Sequence, residues 1–240
     1  MRRDGAPAML KLAQEPEERR GGGVMAWWDG RGAAVVLAHE DVALLLERAM
    51  GPGSLVEMAK TDDDGATRIL CHAALGLHAP RAAAPPATLV PLRQWFAALE
   101  PCAARHGGVL AQAHATAQAL LAEPREISVL HGDIHHENVL DFGPRGWLAI
   151  DPKGLIGERG FDYANIFRNP DPLFAAPPER LRRQAWVVVE AAGLEPRRLL
   201  QWILAYAGLS ASWTLEDAKD RDEPAAALTI AEIAAAQLGL

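Results

Sequence analysis

The chain has 240 residues, of which 50% are hydrophobic and 23% charged, and its formal net charge is −7. This length can bury one good core or two small ones, which excludes a disordered tail. No apolar stretch approaches the ~20 residues of a membrane span, so we expect a soluble protein without a membrane partner. The acidic balance argues against a nucleic-acid partner, because phosphate contacts need a basic face, and weakly favours a cationic ligand.

The cysteine content and the first residues bear on location. Cys71 and Cys102 give neither a disulfide framework nor metal-ligand spacing, which is typical of a reducing cytoplasm. Asp4, Pro7 and Lys11 interrupt the apolar run that a signal peptide needs. We therefore expect a cytoplasmic protein.

The first 50 residues predict a small β-sheet with one helix. The predicted elements are a strand over residues 7–13, a helix over residues 15–28, and strands over residues 33–39 and 42–47. Three consecutive glycines at 21–23 each cost ~1 kcal/mol of helix propensity, so this helix should be weak or broken. Lys11 lies in the first strand, in an apolar setting, and only four of the 24 basic residues are lysines.

The segment Gly51-Pro52-Gly53-Ser54 is a strong boundary signal. Beyond it the pattern changes from strands to helices, so we expect a lobe boundary near residue 50 that separates domains 1–49 and 50–240. Helical spacing is found over residues 66–77, 89–106, 109–122, 178–192, 196–212 and 224–238. The fold class is therefore α+β, with a small β-rich lobe followed by a mainly helical one.

Residues 131–151 predict a β-hairpin that brings chemical groups together. Residues 139–142 and 147–150 are strand-like, and residues 143–146 form a four-residue turn. Pairing Phe142 with Trp147 would place Asn138 opposite Asp151, with Cβ atoms ~4.5–5.5 Å apart. An amide oxygen and a carboxylate form a hard-oxygen site that suits Mg²⁺ carrying phosphates.

Asp133 lies five residues before Asn138, in the loop that enters the hairpin. A carboxylate there could orient a hydroxyl nucleophile and accept its proton. A kinase site has, in chain order, a distant strand lysine, a loop aspartate, a metal-binding asparagine and a second metal-binding aspartate. This sequence has all four parts in that order when Lys11 is counted.

These blocks resemble the aminoglycoside phosphotransferases, most of all the streptomycin and hydroxyurea kinase branch. Residues 131–138 (HGDIHHEN) are similar to the family's catalytic loop, and residues 146–165 are similar to its metal-binding segment. Residues 29–33 and 44–48 are further matches. The resemblance implies a protein-kinase-like two-lobe fold in which the N-terminal β-rich lobe is truncated and the helical C-terminal lobe contains the catalytic hairpin.

The resemblance also implies ATP and Mg²⁺ as cofactors and a role for each matching residue. Asp133 would be the catalytic base, Asn138 and Asp151 would hold Mg²⁺, and Lys11 would contact the α- and β-phosphates. Backbone groups around Glu47 and Ala49 would hold the adenine, and His131 and Asp162 would support the catalytic loop.

The chain departs from the family pattern around Lys11. Family members have further strands and a glycine-rich phosphate loop before the lysine strand, and no such loop precedes Lys11 in this sequence. The following helix normally supplies a glutamate to the lysine. That position falls on Glu18 or on Gly21, and we favour Glu18.

The leading hypothesis is an antibiotic kinase that phosphorylates a hydroxyl of a small cationic acceptor such as a streptomycin-like aminoglycoside. Hydroxyurea or another small metabolite is an alternative acceptor, because the fold does not set the acceptor. A second alternative is a truncated, non-catalytic nucleotide- or ligand-binding remnant.

A third alternative is a metallohydrolase that uses His131, His135 and His136 with Asp133. Adjacent strand histidines point to opposite sides, which argues against it. The acidic segment 216–223 could attract cationic groups of a substrate, although a solvated connection accounts for it equally well. The oligomeric state stays open.

Overall fold

The structure is a computed structural model that describes residue 5, residues 7–217 and residues 222–240. These residues form two compact units. The first contains the described residues up to Val90 together with Ser128–Ile156, and the second contains Pro91–Ile127 and Gly157–Leu240. Residues 218–221, at the centre of the acidic segment, lie outside the described residues. The lobe boundary near residue 50 stays a prediction.

The strands and helices follow one another in a β-rich beginning and a mainly helical remainder. In chain order they are β1 (Ala8–Leu12), α1 (Pro16–Trp28), β2 (Val36–Glu40), β3 (Ala43–Glu47), α2 (Leu55–His78), β4 (Val90–Pro91), α3 (Leu92–Trp95), α4 (Leu99–His106), α5 (Gly108–Ala122), β5 (Ile127–Leu130), β6 (Val139–Asp141), β7 (Trp147–Ala149), β8 (Leu155–Glu158), α6 (Gly160–Ala164), α7 (Pro172–Ala175), α8 (Pro178–Ala192), α9 (Pro196–Asp217) and α10 (Asp222–Leu238).

The first unit contains an antiparallel sheet with the strand order β1-β3-β2. In this sheet Lys11 of β1 lies opposite Leu44 of β3. The side chains of Leu44 and Leu46 are buried, as expected for a strand with one face on the core. The sheet thus holds Lys11 on a strand whose neighbour is anchored in the core.

Helix α1 is continuous, so the prediction of a weak or broken helix was wrong. Gly21 is buried, and a Cβ atom placed on it would collide with the backbone carbonyl of Pro152. The glycine therefore allows a close approach between the helix and the chain that follows β7. Tertiary packing offsets the loss of helix propensity, because the helix also buries apolar side chains, namely Val24, Met25 and Trp28.

The predicted hairpin is present as β6 and β7, but its register differs by one residue. Asp141 pairs with Trp147, and the Ile150 N–H donates to the carbonyl of Asn138 at 2.9 Å. Asn138 therefore lies opposite Ile150, and the predicted pairing of Asn138 with Asp151 was wrong.

The physical reason is the length of the turn. Gly143–Arg145 form a single 3₁₀ turn, and the Phe142 N–H donates to the carbonyl of Gly146 at 2.9 Å. Gly146 thus pairs with Phe142 and does not belong to the turn. A turn of three residues instead of four shifts every later pair by one position.

The second unit is mainly helical and has an aromatic core. Four rings meet at centroid separations between 5.4 and 6.2 Å, those of Phe96, Phe161, Trp202 and Tyr206. Three of these four contacts are edge-to-face, an arrangement that adds to the stabilisation from burying large apolar surfaces. Among the described residues, no helix is both long and apolar enough to cross a membrane.

Candidate active site

The loop between β5 and β6 carries Asp133 and is fixed by buried side chains. His131 is fully buried, and its ring accepts a hydrogen bond from the Asp133 N–H at Nδ1, over 3.2 Å. Its Nε2 lies 2.7 Å from the carbonyl of Ile150. The tautomer protonated at Nε2 satisfies both contacts, because Nδ1 then accepts and Nε2 donates. His131 therefore connects the loop backbone at Asp133 to the end of the hairpin.

Asn138 is joined directly to Asp133. Its side-chain amide nitrogen donates to the Asp133 carbonyl at 2.9 Å and lies 3.4 Å from the Asp133 carboxylate oxygen Oδ2. Since the nitrogen faces Asp133, the amide oxygen faces away from it. The structure thus brings these two predicted site residues together.

Lys11 connects β1 to the residue after the hairpin and to α1. Its ammonium group forms an ion pair with the Asp151 carboxylate and lies 3.2 Å from Glu18 Oε1. Of the two positions considered for the partner of Lys11, the structure thus places Glu18 against it. Asp151 has a φ of 62°, in the left-handed region, so the chain leaves the direction of β7 at this residue.

Glu18 is held by more than its ion pair. Its carboxylate accepts hydrogen bonds from the backbone N–H groups of Gln14 at 2.6 Å and Glu15 at 3.1 Å. The backbone bonds from Glu15 and Gln14, together with the nearby Lys11, lower the pKa of Glu18 to about 2. Glu18 is therefore an anion at neutral pH.

A second lysine, Lys153, belongs to the same group of charges, although the sequence motifs did not point to it. Its ammonium nitrogen lies 3.6 Å from Asp133 Oδ2 and 3.2 Å from Glu17 Oε1. Burial opposes the charge on Lys153, but the carboxylates of Asp133 and Glu17 outweigh it and raise the pKa of Lys153. The signal in the sequence was a rare lysine two residues after Asp151.

The predicted adenine-binding residues lie at the end of β3. The Glu47 carboxylate accepts a hydrogen bond from the Val35 N–H at 2.6 Å and forms an ion pair with Arg145. Ala49, two residues later, is half-buried. Glu47 lies three residues along β3 from the position opposite Lys11, a distance of roughly 10 Å. Their role in holding the adenine stays a prediction.

Asp162 lies in the second unit. It is buried in α6, and its N–H donates to the carbonyl of Arg159 at 3.3 Å. Its role as a support of the catalytic loop stays a prediction.

The side chains of the site include oxygen donors of the kind that bind Mg²⁺. Over residue 5, residues 7–217 and residues 222–240, no group of three or more His, Cys, Asp or Glu side chains is arranged to hold a metal ion. The histidines of the hydrolase alternative therefore do not form such a group. The amide oxygen of Asn138 and the carboxylate of Asp151 are hard donors, and Mg²⁺ commonly takes one or two carboxylates and completes its shell with phosphates and water. The residues present thus fit Mg²⁺ bound together with a nucleotide.

The fold and the charged group define a class of protein. The site has three features. They are a half-buried loop aspartate hydrogen-bonded to an asparagine, a second aspartate after a hairpin, and a strand lysine paired with a helix glutamate. Together they are the parts of a protein-kinase-like phosphotransferase. Residues 1–218 match the model of the aminoglycoside/hydroxyurea antibiotic resistance kinases, and the chain belongs to this family.

Individual relatives agree with this assignment. The chain is 54% identical over 224 residues to a streptomycin 3''-kinase of Klebsiella pneumoniae, an alignment that covers 90% of this chain and 83% of that protein. Two solved structures share the fold. A choline/ethanolamine kinase family protein from Mesorhizobium loti has a TM-score of 0.71 and 17% identity, with 97% of this chain and 83% of that one covered.

The second solved structure is an aminoglycoside phosphotransferase from Streptomyces rimosus in complex with ADP and streptomycin. It has a TM-score of 0.58 and 17% identity, with 86% of this chain and 88% of that one covered. The predicted family, the α+β kinase-like fold and the assignment as a phosphotransferase acting on a hydroxyl group are thereby confirmed.

Proposed function

We propose that this protein transfers the γ-phosphoryl group of ATP to the 3''-hydroxyl of streptomycin and thereby inactivates the antibiotic. The observation that carries the proposal is the assembly of Asp133, Asn138, Lys11 and Asp151 within one compact unit. The choice of acceptor follows the 54% identical relative, which is named for this hydroxyl.

In the proposed reaction Lys11 contacts the α- and β-phosphates, and backbone groups around Glu47 and Ala49 hold the adenine. Asn138 and Asp151 would hold Mg²⁺, which when bound neutralises charge on the phosphate oxygens. Lys11 and Asp151 are in contact, so phosphate oxygens that enter between them would meet a cation on one side and a metal-binding carboxylate on the other.

Asp133 orients the acceptor. Its carboxylate accepts the hydroxyl proton while the acceptor oxygen forms a bond to the γ-phosphorus. The bond from that phosphorus to the bridging oxygen breaks, and its electron pair leaves with ADP. His131 keeps the loop in place through its contacts with Asp133 and Ile150. Most of the rate gain in such reactions comes from positioning and electrostatic stabilisation, so exact placement of these groups decides the turnover.

The proposed acceptor also agrees with the charge of the chain. The formal net charge of −7 favours the approach of a cationic small molecule. We place the reaction in the cytoplasm, where ATP is available, and we propose neither a nucleic-acid nor a membrane partner.

The test is a phosphotransfer assay with the full chain, ATP and Mg²⁺, using streptomycin, hydroxyurea and aminoglycosides of other classes as acceptors. We expect transfer to streptomycin, with the product phosphorylated at the 3'' position by NMR, and loss of turnover in Asp133→Asn with an unchanged melting temperature. Transfer to hydroxyurea alone would reassign the acceptor. A folded parent protein that transfers to none of them would support the non-catalytic remnant, and a fully active Asp133→Asn would contradict the assigned base.

A further inference from the structure

Lys153 is attached to the catalytic loop at the level of the backbone. Its N–H donates to the carbonyl of His131 at 2.7 Å. This bond joins the segment after Asp151 to the loop residue two positions before Asp133. The backbone of Lys153 is therefore fixed relative to the proposed base.

The residue between His131 and Asp133 permits this close approach. Gly132 has a φ of 84°, and a Cβ atom built on it would lie 3.1 Å from Lys153 Cβ and 2.8 Å from Leu155 Cδ1. Both the left-handed backbone and the short distances favour glycine here. The loop sequence His-Gly-Asp thus makes room for Lys153 along its side.

The side chain of Lys153 then reaches the proposed base. Its ammonium nitrogen lies 3.6 Å from Asp133 Oδ2, and on its other side it lies 3.2 Å from Glu17 Oε1 in the first turn of α1. The lysine side chain keeps 23% of its surface exposed, so its ammonium group can also contact a ligand.

We propose that Lys153 is a catalytic residue that contacts the phosphoryl group during its transfer. The inference rests on the proposed function. An acceptor hydroxyl bound to Asp133 would lie ~2.6–3.2 Å from its carboxylate, and the phosphorus atom that the hydroxyl attacks would be its next neighbour. The equatorial oxygens of that phosphoryl group then come within reach of the Lys153 ammonium, which lies beside the same carboxylate.

The chemistry explains why a cation is useful at this place. As the acceptor oxygen bonds to phosphorus, its proton passes to Asp133 and the bridging oxygen leaves with ADP. Negative charge is then spread over the three equatorial oxygens. Lys11 lies beside Asp151, where the nucleotide would bind, whereas Lys153 lies beside Asp133, where the acceptor would bind. A fixed ammonium group there stabilises the transition state more than the ground state.

A purely structural role is the competing explanation. In that case Lys153 would only fasten its segment to α1 through Glu17. The two roles separate by variants: Lys153→Met removes the charge, Lys153→Arg keeps it, and Glu17→Gln removes the fastening while it leaves the ammonium group. Lys60→Met is the matched control, because Lys60 forms an exposed ion pair with Glu57 on α2.

The experiment measures kcat, KM and melting temperature for these variants with ATP and streptomycin. Removing one donor that stabilises transition-state charge typically costs ~10²–10³ in kcat. We expect a loss of that size in Lys153→Met with both KM values within about threefold, partial activity in Lys153→Arg, and parental kinetics in Lys60→Met. A smaller loss is expected in Glu17→Gln than in Lys153→Met. Equal kinetic losses in these two, together with a lowered melting temperature, would overturn the proposal.

A binding measurement adds a readout that fastening alone would not change. The affinity of Lys153→Met for ADP should stay within about twofold of the parent, whereas its affinity for ADP with aluminium fluoride, a mimic of the transferred phosphoryl group, should fall at least ~20-fold. Equal affinities of the parent and Lys153→Met for this mimic would contradict the proposed contact between Lys153 and the phosphoryl group. A parent protein without phosphotransfer would refute the proposed function itself, whereas an active parent matched by Lys153→Met would refute only the role of Lys153.

Discussion

Two charged clusters, one in each unit, use the same kinds of side chain and differ in how completely they are satisfied. The site cluster in the first unit consists of Lys11, Glu17, Glu18, Asp133, Asp151 and Lys153. The Glu158 cluster in the second unit consists of Arg125, Glu158, Arg198 and Trp202. Each contains close ion pairs, so ion pairs alone do not identify a functional site.

In the Glu158 cluster every bond of the carboxylate is made within the protein. Arg198 donates from Nη2 at 2.6 Å and from Nε at 2.9 Å, the Trp202 indole donates at 2.8 Å, and the Arg125 N–H donates at 2.9 Å. Glu158 is 4% exposed. Burial raises its pKa, but the bonds from Arg198 and Trp202 outweigh burial and lower it.

In the site cluster the four central side chains remain open to solvent. Lys11, Asp133, Asp151 and Lys153 keep between 23% and 37% of their side-chain surface exposed. Cations and carboxylates alternate there, but each keeps room for another partner. A buried cluster whose hydrogen bonds are all made within the protein therefore supports the fold, whereas a half-exposed cluster can exchange its internal contacts for a ligand.

The largest effect is expected from Asp151→Asn. This change keeps the shape and a residue type that tolerates the left-handed backbone, but it removes the charge that would hold Mg²⁺. We expect kcat to fall at least ~10³-fold, about 4 kcal/mol in activation free energy. The free energy of unfolding should change by no more than about 1 kcal/mol, because the lost ion pair with Lys11 is partly exposed.

Activity assays and urea unfolding of the same preparation measure both quantities. A large loss of stability in Asp151→Asn would erase the distinction between the two clusters, since it would show that the site cluster also supports the fold.

Glu158→Gln should give the opposite result. The amide offers one acceptor oxygen where the carboxylate offers two, so the half-buried Arg198 guanidinium group loses part of its partner. We expect the free energy of unfolding to fall by about 3 kcal/mol, which lowers the urea concentration at which the protein unfolds. The kcat of the folded fraction should stay within a few-fold of the parent at low temperature. Glu126→Gln is the matched control, because Glu126 pairs with Arg159 at 3.1 Å but is 64% exposed, and it should cost less than about 1 kcal/mol.

The family, the fold and most of the site cluster could be predicted from the sequence. The order of Lys11, Asp133, Asn138 and Asp151 predicted the family and the fold, because these residues lie in short blocks with fixed local structure. The predicted hairpin register was wrong by one residue, since the sequence does not reveal whether Gly146 belongs to the turn or pairs with Phe142.

The contacts between distant segments could not be predicted. Lys153 meets Glu17 across 136 positions of the chain, and Glu158 meets Arg198 across 40. These pairs depend on how elements pack in three dimensions. The glycines of α1 were misread for the same reason, because a propensity scale counts their cost but not the space they provide for Pro152.

Gly21→Ala tests whether the placement of α1 controls the site cluster. The added methyl group would collide with the Pro152 carbonyl, and we expect a cost of about 1–3 kcal/mol despite the better helix propensity of alanine. A shifted helix would also separate Glu18 from Lys11 and Glu17 from Lys153, so kcat should fall together with stability.

Gly23→Ala is the matched control in the same helix. Nothing lies within 4 Å of a Cβ atom at that position, so alanine should stabilise the protein by up to about 1 kcal/mol and leave turnover intact. Thermal unfolding and steady-state kinetics measure both variants. Identical effects of the two substitutions would show that packing against Pro152 does not position the helix.

The smallest effect, a dependence of stability on pH, is expected from Glu18→Gln. The pKa of Glu18 is about 2 in the folded protein, against 4.5 for an ordinary glutamate, because the N–H groups of Glu15 and Gln14 and the Lys11 ammonium favour the carboxylate. A lowered folded-state pKa contributes stability that is fully present above pH 4.5 and is lost as the pH falls toward 2. The variant should therefore be less stable than the parent at pH 7, and the difference should shrink between pH 4.5 and 2.

Urea unfolding midpoints across this range measure the difference, with Glu57→Gln as a control for an exposed glutamate paired with a lysine. Parallel curves for the parent and Glu18→Gln would contradict the assigned contacts. Lys11 keeps its ion pair with Asp151 in the variant, so the KM for ATP should rise only a few-fold. A half-open cluster thus tolerates the loss of one partner, because its remaining charges still hold the lysine, whereas the saturated Glu158 cluster has no spare contact to replace the one removed.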